Sequence, residues 1–258
     1  MITSTANPQV KNLILLNKKA KARREQGVFI AEGRKMFEEA PKEWIQKVYV
    51  SESYFTKEEK NIGLPESEFE ILSDSVFKAV CDTQTPQGIL TVVSMPKWDE
   101  QQVLAQKNGS YLLLESIQDP GNLGTMLRTG EGAGITAVIV NKTTVDLYNP
   151  KTIRSTMGSI YRVPFIVAED FTSFICRMKE QGIKIYAAHL KGKQMYDAWD
   201  YRNASGFLIG NEGNGLSDEV ADLADDYIKI PMEGNVESLN AAIAATILMY
   251  EVNRQRRG

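Results

Sequence analysis

Short apolar runs alternate with stretches in which apolar positions recur every three or four residues. The alternation is most regular from residue 110 onward. Tyr111–Glu115, Ala137–Val140, Pro164–Val167, Ile183–Ala188, Gly206–Ile209 and Tyr227–Ile230 read as strands. Asn122–Gly132, Pro150–Met157, Phe171–Gln181, Ser217–Leu223 and Leu239–Arg254 read as helices between and after them. Apolar strands alternating with helices predict an α/β fold, a mostly parallel sheet covered on both faces. Ligands of such sheets gather at the carboxyl ends of the strands.

The first hundred residues are patterned differently. Residues 7–24 predict one helix, with Asn7 as N-cap, Pro8 in the first turn, and Leu13, Leu16 and Ala20 as a modest apolar stripe. Strands are expected at Val28–Ala31, Val48–Val50, Phe69–Leu72 and Gly88–Val93, with helices near Arg34–Ala40 and Ser75–Cys81. Residues 95–109 are polar and carry Pro96, which suggests an inter-domain linker. The expected organisation is a smaller α/β domain at 1–95, a linker at 96–109 and a larger domain at 110–258.

Composition narrows the chemistry. At 43% hydrophobic and 24% charged, the 258 residues have the make-up of a soluble globular protein. No apolar run approaches the roughly 20 residues of a membrane helix, and no signal peptide is apparent at the start. Cys81 and Cys176 stand far apart, which suits a reducing cytoplasm and predicts two plain core thiols. His189 is the single histidine, so no His/Cys metal site is expected; it reads as a strand-end residue near a pocket. The net charge of −3 does not by itself favour nucleic acid, yet the basic residues are unevenly spread. Residues 1–24 hold Lys11, Lys18, Lys19, Lys21, Arg23 and Arg24 without one acid, and Arg254, Arg256 and Arg257 close the chain. Lys18, Lys19, Lys21, Arg23 and Arg24 form a candidate RNA-contacting patch, the tail a weaker one; the plain alternative is a solvated helix face.

The glycines exclude two nucleotide-binding motifs. Gly192-Lys193 is followed by Gln194 and lacks the upstream glycine of a P-loop. Gly130-Glu131-Gly132-Ala133-Gly134 ends a helix and leads into a strand, the reverse of a Rossmann fingerprint, and simply stops that helix. Three other segments follow strands directly. Asp119-Pro120-Gly121 forms a turn in which Asn122 can cap the next helix, and Arg128 lies six residues on. Gly210-Asn211-Glu212-Gly213-Asn214-Gly215 is a loop able to bring backbone close to a ligand, or merely a glycine-rich turn. Ile230-Pro231-Met232 ends a strand, and Ser238-Leu239-Asn240 opens an alanine-rich helix with Ser238 as a natural N-cap.

In this order the three segments resemble the signature motifs of the SpoU (TrmH-type) branch of the SPOUT RNA methyltransferases, over about 150 C-terminal residues. Phe29-Ile30-Ala31-Glu32-Gly33, with Phe37 and Glu38, resembles the start of the L30e-like RNA-binding domain that precedes many such catalytic domains. The resemblance implies a deep trefoil knot, a homodimer, and S-adenosylmethionine held by backbone at Gly210, Ile230 and Leu239. It implies methyl transfer to a ribose 2′-hydroxyl of RNA, with Arg128 essential, Asn122 its motif partner, and Glu212, Ser238 and Asn240 completing the polar set. The chemical difficulty lies at the hydroxyl, whose proton must be accepted or whose developing charge must be stabilised. A guanidinium rarely gives up its proton. Arg128 is therefore expected to grip the adjacent phosphate and stabilise the 2′-oxygen, with proton acceptance as the alternative. A front domain of this type points to 23S rRNA, at a guanosine or uridine; the alternatives are a tRNA 2′-O-methyltransferase or a non-catalytic RNA-binding ribosome assembly factor.

Overall fold

The chain opens as a helix because Asn7 Oδ1 accepts the N–H of Gln9 at 2.8 Å and Pro8 needs no partner in the first turn. The helix expected over 7–24 is two: α1 (Pro8–Lys18) and α2 (Ala20–Gln26), broken where Lys19 takes an extended conformation. Arg23 supplies a physical reason, since its Nη1 takes the carbonyls of Leu16 at 2.5 Å and Asn17 at 3.2 Å, at the end of α1. The computed structural model describes residues 1–58 and 62–257.

The first unit continues through β1 (Val28–Glu32), α3 (Arg34–Glu39), β2 (Ile45–Ser51), α4 (Glu52–Glu58), β3 (Phe69–Leu72), α5 (Asp74–Val80) and β4 (Ile89–Ser94). Its four strands lie in the order β1-β4-β2-β3; β4 runs antiparallel to both neighbours, and β2 and β3 are parallel. Val10, Leu13 and Leu16 of α1 pack with Val76, Phe77 and Val80 of α5 in one core cluster.

The second unit begins inside the expected linker. Asp99 caps α6 (Glu100–Leu104), whose Val103 and Leu104 are buried in the core of the larger unit. There follow β5 (Ser110–Leu114), α7 (Pro120–Ala133), β6 (Ala137–Val140), α8 (Pro150–Thr156), β7 (Phe165–Val167), α9 (Phe171–Glu180), β8 (Lys184–Ala188), β9 (Gln194–Met195), β10 (Ser205–Ile209), α10 (Asp218–Ala221), β11 (Asp226–Lys229) and α11 (Ala241–Arg257). Seven strands form one parallel sheet in the order β7-β6-β5-β10-β8-β11-β9. Gly134 stops α7 with a φ of +77°, the left-handed value that glycine takes without strain.

One stretch groups differently from the 1–95, 96–109 and 110–258 organisation. Asp146–Tyr161, including α8, belongs to the first unit, and the chain rejoins the second at Arg162. The tie is specific. Asp146 pairs with Arg23, the Tyr148 and Phe29 rings lie 5.1 Å apart, and the Tyr161 hydroxyl donates to the Met36 carbonyl at 2.9 Å.

One further expectation is corrected. Cys176 is exposed, because Phe171, Phe174, Ile175 and Met178 make the buried stripe of α9 and leave position 176 off it; Cys81 is half-buried, and burial pushes its thiol up. In the C-terminal helix Arg256 is committed to backbone of the second unit, whereas Arg254 and Arg257 remain exposed. Arg256 donates to the carbonyls of Asn108 at 2.7 Å and Asn203 at 2.9 Å, and Arg254 pairs with Glu251 at 2.7 Å.

Candidate active site

Strand order explains why distant motifs meet. β5 and β10 are parallel neighbours, with Leu114 opposite Ile209, so the segments leaving them emerge side by side where the sheet changes direction. The first carries Gln118, Asp119 and Asn122; the second is the loop from Gly210 to Leu216.

Glu212 joins the two. Its Oε1 accepts from Asn122 Nδ2 at 2.9 Å and from the Asp119 N–H at 3.1 Å, and its Oε2 accepts from the Gln118 N–H at 3.0 Å. Partial burial pushes the Glu212 carboxyl up, but bonds from Asn122 and from nearby backbone N–H groups outweigh it and hold the carboxyl below its usual range. A carboxylate only accepts, so Asn122 turns its amino group to Glu212 and keeps Oδ1 free. That Oδ1 accepts from Asn240 Nδ2 at 3.0 Å. Asn240 Oδ1 in turn accepts the N–H groups of Ala242 at 2.9 Å and Ile243 at 3.3 Å, at the start of α11. One hydrogen-bonded chain thus links all three motifs.

Two cap assignments move as a result. Asp119, not Asn122, caps α7 through the Asn122 N–H at 2.8 Å. Asn240, not Ser238, caps α11. In each case the true cap lies where the long-range network needs it, and the Asn122 side chain is left for Glu212. Ser238 is exposed and stands outside the chain of hydrogen bonds, as does Arg128, which projects from α7 with no hydrogen bond or ion pair among the described residues.

The backbone cradle suits a cofactor. Gly210 is buried where the loop folds back on itself; a Cβ there would lie 2.0 Å from the Gly215 carbonyl carbon. Asn211 and Gly215 exchange N–H···O bonds of 3.0 and 2.9 Å that close the loop. Among the described residues no hydrogen bond uses the backbone of Gly210, Ile230 or Leu239. Polar main-chain groups free of partners at the carboxyl ends of β10 and β11 are what an adenine-bearing cofactor needs, so these residues fit S-adenosylmethionine. The structure adds residues that the motifs did not single out. Ser116 holds a φ of +56° and spends its backbone on both sides: its N–H donates to Asn141 Oδ1 at 2.9 Å, and its carbonyl accepts from Asn211 Nδ2 at 2.8 Å. The available signal was position alone, the first polar residues after an apolar strand.

His189 follows β8 and accepts the Lys191 N–H on Nδ1 at 3.1 Å, a local role. In the first unit Lys18, Lys19 and Arg24 are exposed with no ion pair among the described residues, and Lys21 is exposed with Glu25 3.7 Å away. Arg23 is the correction. It is 3% exposed, its Nε and Nη2 are taken by Asp146 and its Nη1 by carbonyls, so it has no group left for a phosphate.

Comparison with known proteins agrees with this geometry. The family model described as SpoU rRNA Methylase family matches residues 109–250, and the one described as MRM3-like substrate binding domain matches residues 7–91. A 23S rRNA (guanosine(2553)-2′-O)-methyltransferase, RlmP, of Bacillus subtilis (strain 168) is 34% identical over 253 residues, 97% of this chain and 98% of its own. The crystal structure of an AdoMet-bound rRNA methyltransferase from Sinorhizobium meliloti superposes with a TM-score of 0.82 at 28% identity, covering 98% of this chain and 97% of that one. An RNA 2′-O ribose methyltransferase structure superposes at 0.85 and 29% identity, covering 100% and 99%. Fold and site together define a SPOUT-type methyltransferase. The chain belongs to the SpoU rRNA methylase family; it is an RNA 2′-O-ribose methyltransferase that uses S-adenosylmethionine.

Proposed function

We propose that this enzyme methylates a ribose 2′-hydroxyl of 23S rRNA, at a guanosine or uridine, in the cytoplasm and as a homodimer. The observation that carries the catalytic reading is the Glu212–Asn122–Asn240 chain, which draws three motifs from separate strands into one site. The choice of 23S rRNA is supported by the full-length similarity to the Bacillus subtilis enzyme. The trefoil knot implied by the family pattern belongs to the same proposal.

S-adenosylmethionine, when bound, supplies a methyl group already electrophilic on a sulfonium. Gly210, Ile230 and Leu239 hold it through main-chain groups. Glu212, Asn122 and Asn240 keep the ends of β5 and β10 and the start of α11 in register, so that little reorganisation is needed during reaction. Arg128, whose guanidinium has no hydrogen bond or ion pair among the described residues, grips the phosphate beside the target ribose and stabilises negative charge on the 2′-oxygen. Ser238 supplies a further hydroxyl at the mouth of the site. In the first unit Lys18, Lys19, Lys21 and Arg24 contact RNA phosphates.

The test is methyl transfer from radiolabelled S-adenosylmethionine to deproteinised 23S rRNA, 16S rRNA and bulk tRNA, with Arg128→Ala as control and 2′-O-methyl mapping. Label on 23S rRNA that the variant loses is the expected result. Label on tRNA alone overturns the substrate; no label on any RNA or on ribosomal precursors points to a non-catalytic RNA binder. Arg128→Lys keeps the charge and loses the planar fork, and is expected to lower turnover about 100-fold. Near-normal turnover would rule out two-pronged recognition.

A further inference from the structure

The loop from Gly210 to Leu216 is tied down at its start, in its middle and at its end, and the last tie comes from a residue outside all three motifs. At the start, Asn211 Nδ2 donates to the Ser116 carbonyl at 2.8 Å. In the middle, Glu212 accepts from Gln118, Asp119 and Asn122. At the end, Glu115 takes both donors of Ser217: Oε2 accepts the backbone N–H at 2.8 Å and Oε1 the hydroxyl at 2.7 Å. Ser217 Oγ also accepts the Val220 N–H at 3.2 Å, so the same contact fixes the start of α10. Glu115 is itself anchored, its N–H donating to the Ile209 carbonyl at 2.9 Å, one residue before the loop begins.

Glu115 therefore spans the base of the loop, bound by backbone to its entrance and by side chain to its exit. No cation pairs with it among the described residues; its two oxygens serve a neutral serine. A carboxylate spent in this way supplies geometry rather than charge neutralisation. We infer that Glu115 is a positioning residue for cofactor binding, holding the exit of the Gly210–Leu216 loop so that the Gly210 backbone faces the cofactor. The inference rests on reading that loop as the cofactor loop.

A glutamine can keep the tie, because its carbonyl accepts from the Ser217 N–H while its amino group donates to Oγ. An alanine cannot. Titration of the full-length chain with S-adenosylhomocysteine should show binding weakened about tenfold by Glu115→Ala and within about threefold of wild type for Glu115→Gln, as the loss and retention of a paired hydrogen bond predict. In steady state the loss should appear in KM for S-adenosylmethionine, with kcat at saturating cofactor and KM for RNA changed much less. Ser217→Ala should weaken binding as well, and the double variant should lose no more than Glu115→Ala alone. It also provides the test if Glu115→Ala fails to fold. Binding within twofold of wild type for both alanine variants, or Glu115→Gln as weak as Glu115→Ala, would overturn the positioning role, the second because charge would then be what matters. A wild-type chain that binds no S-adenosylhomocysteine would remove the cofactor-loop reading itself. Loss of binding in a Gly210→Ala variant beside intact binding in both alanine variants would leave that reading in place and remove only the role of Glu115.

Discussion

Asn122 Nδ2 lies 2.9 Å from Glu212 Oε1, although 90 residues separate them in the chain. The contact makes one end of a relay whose other end caps α11 through Asn240. Asn122→Asp would set a second carboxylate against Glu212 and reverse the donor that the relay requires. The expected outcome is a fall of about 100-fold in kcat/KM, comparable to losing one preorganised polar group at a site of developing charge. Steady-state methyl transfer measures it, and activity within threefold of wild type would show the relay to be dispensable.

The same carboxylate predicts a pH dependence. Glu212 is held below the ordinary carboxyl value of 4.5 by its hydrogen bonds, against a burial effect of opposite sign. A depressed folded value means that its stabilisation is complete above the unfolded value and is lost as pH falls through the folded one. Denaturant unfolding of wild type and Glu212→Gln should differ by a constant amount above about pH 5 and converge below it. A difference that grows on acidification would contradict the assigned hydrogen bonds.

Gly210 has no room for a side chain. A Cβ would stand 2.0 Å from the Gly215 carbonyl carbon and 2.1 Å from the Leu216 nitrogen, both backbone atoms that cannot swing aside. Gly210→Ala should therefore open the loop, abolishing calorimetric binding of S-adenosylhomocysteine while the circular dichroism of the sheet and helices stays native. Undiminished binding would mean that the loop does not hold the cofactor.

Buried and exposed cations of the first unit should behave oppositely. Arg23→Met leaves Asp146 uncompensated and should cost about 3 kcal/mol in urea unfolding, as for other broken buried pairs. Lys18→Ala with Lys19→Ala should leave stability unchanged and reduce the salt slope of RNA binding by about 1.5. An unchanged slope would clear the α1–α2 corner of phosphate contacts.

Much of this protein was legible from periodicity. Strands of the larger unit fall within one or two residues of their predicted bounds, because apolar runs such as Tyr111–Leu114 are fully buried and declare themselves. The short pieces were not legible. β9 has two residues, Gln194 and Met195, both exposed, and α6 sits in a polar stretch where only Val103 and Leu104 turn inward. Periods that short carry no pattern.

Sequence alone determined the class of fold and the three motifs, since each depends on local patterning or on residue types at close spacing; the reaction and the cofactor came with the family that those motifs resemble. Tertiary structure decided which polar atoms meet. Asp119 and Asn240 became the caps, Asn122 was released to Glu212, Arg23 was withdrawn from the basic patch by Asp146, and Asp146–Tyr161 joined the first unit. A cap, a ligand and a buried ion pair can all be built from the same residue types. Which of them forms depends on partners that sheet order and packing bring within 3 Å or so of one another, and that information is long-range.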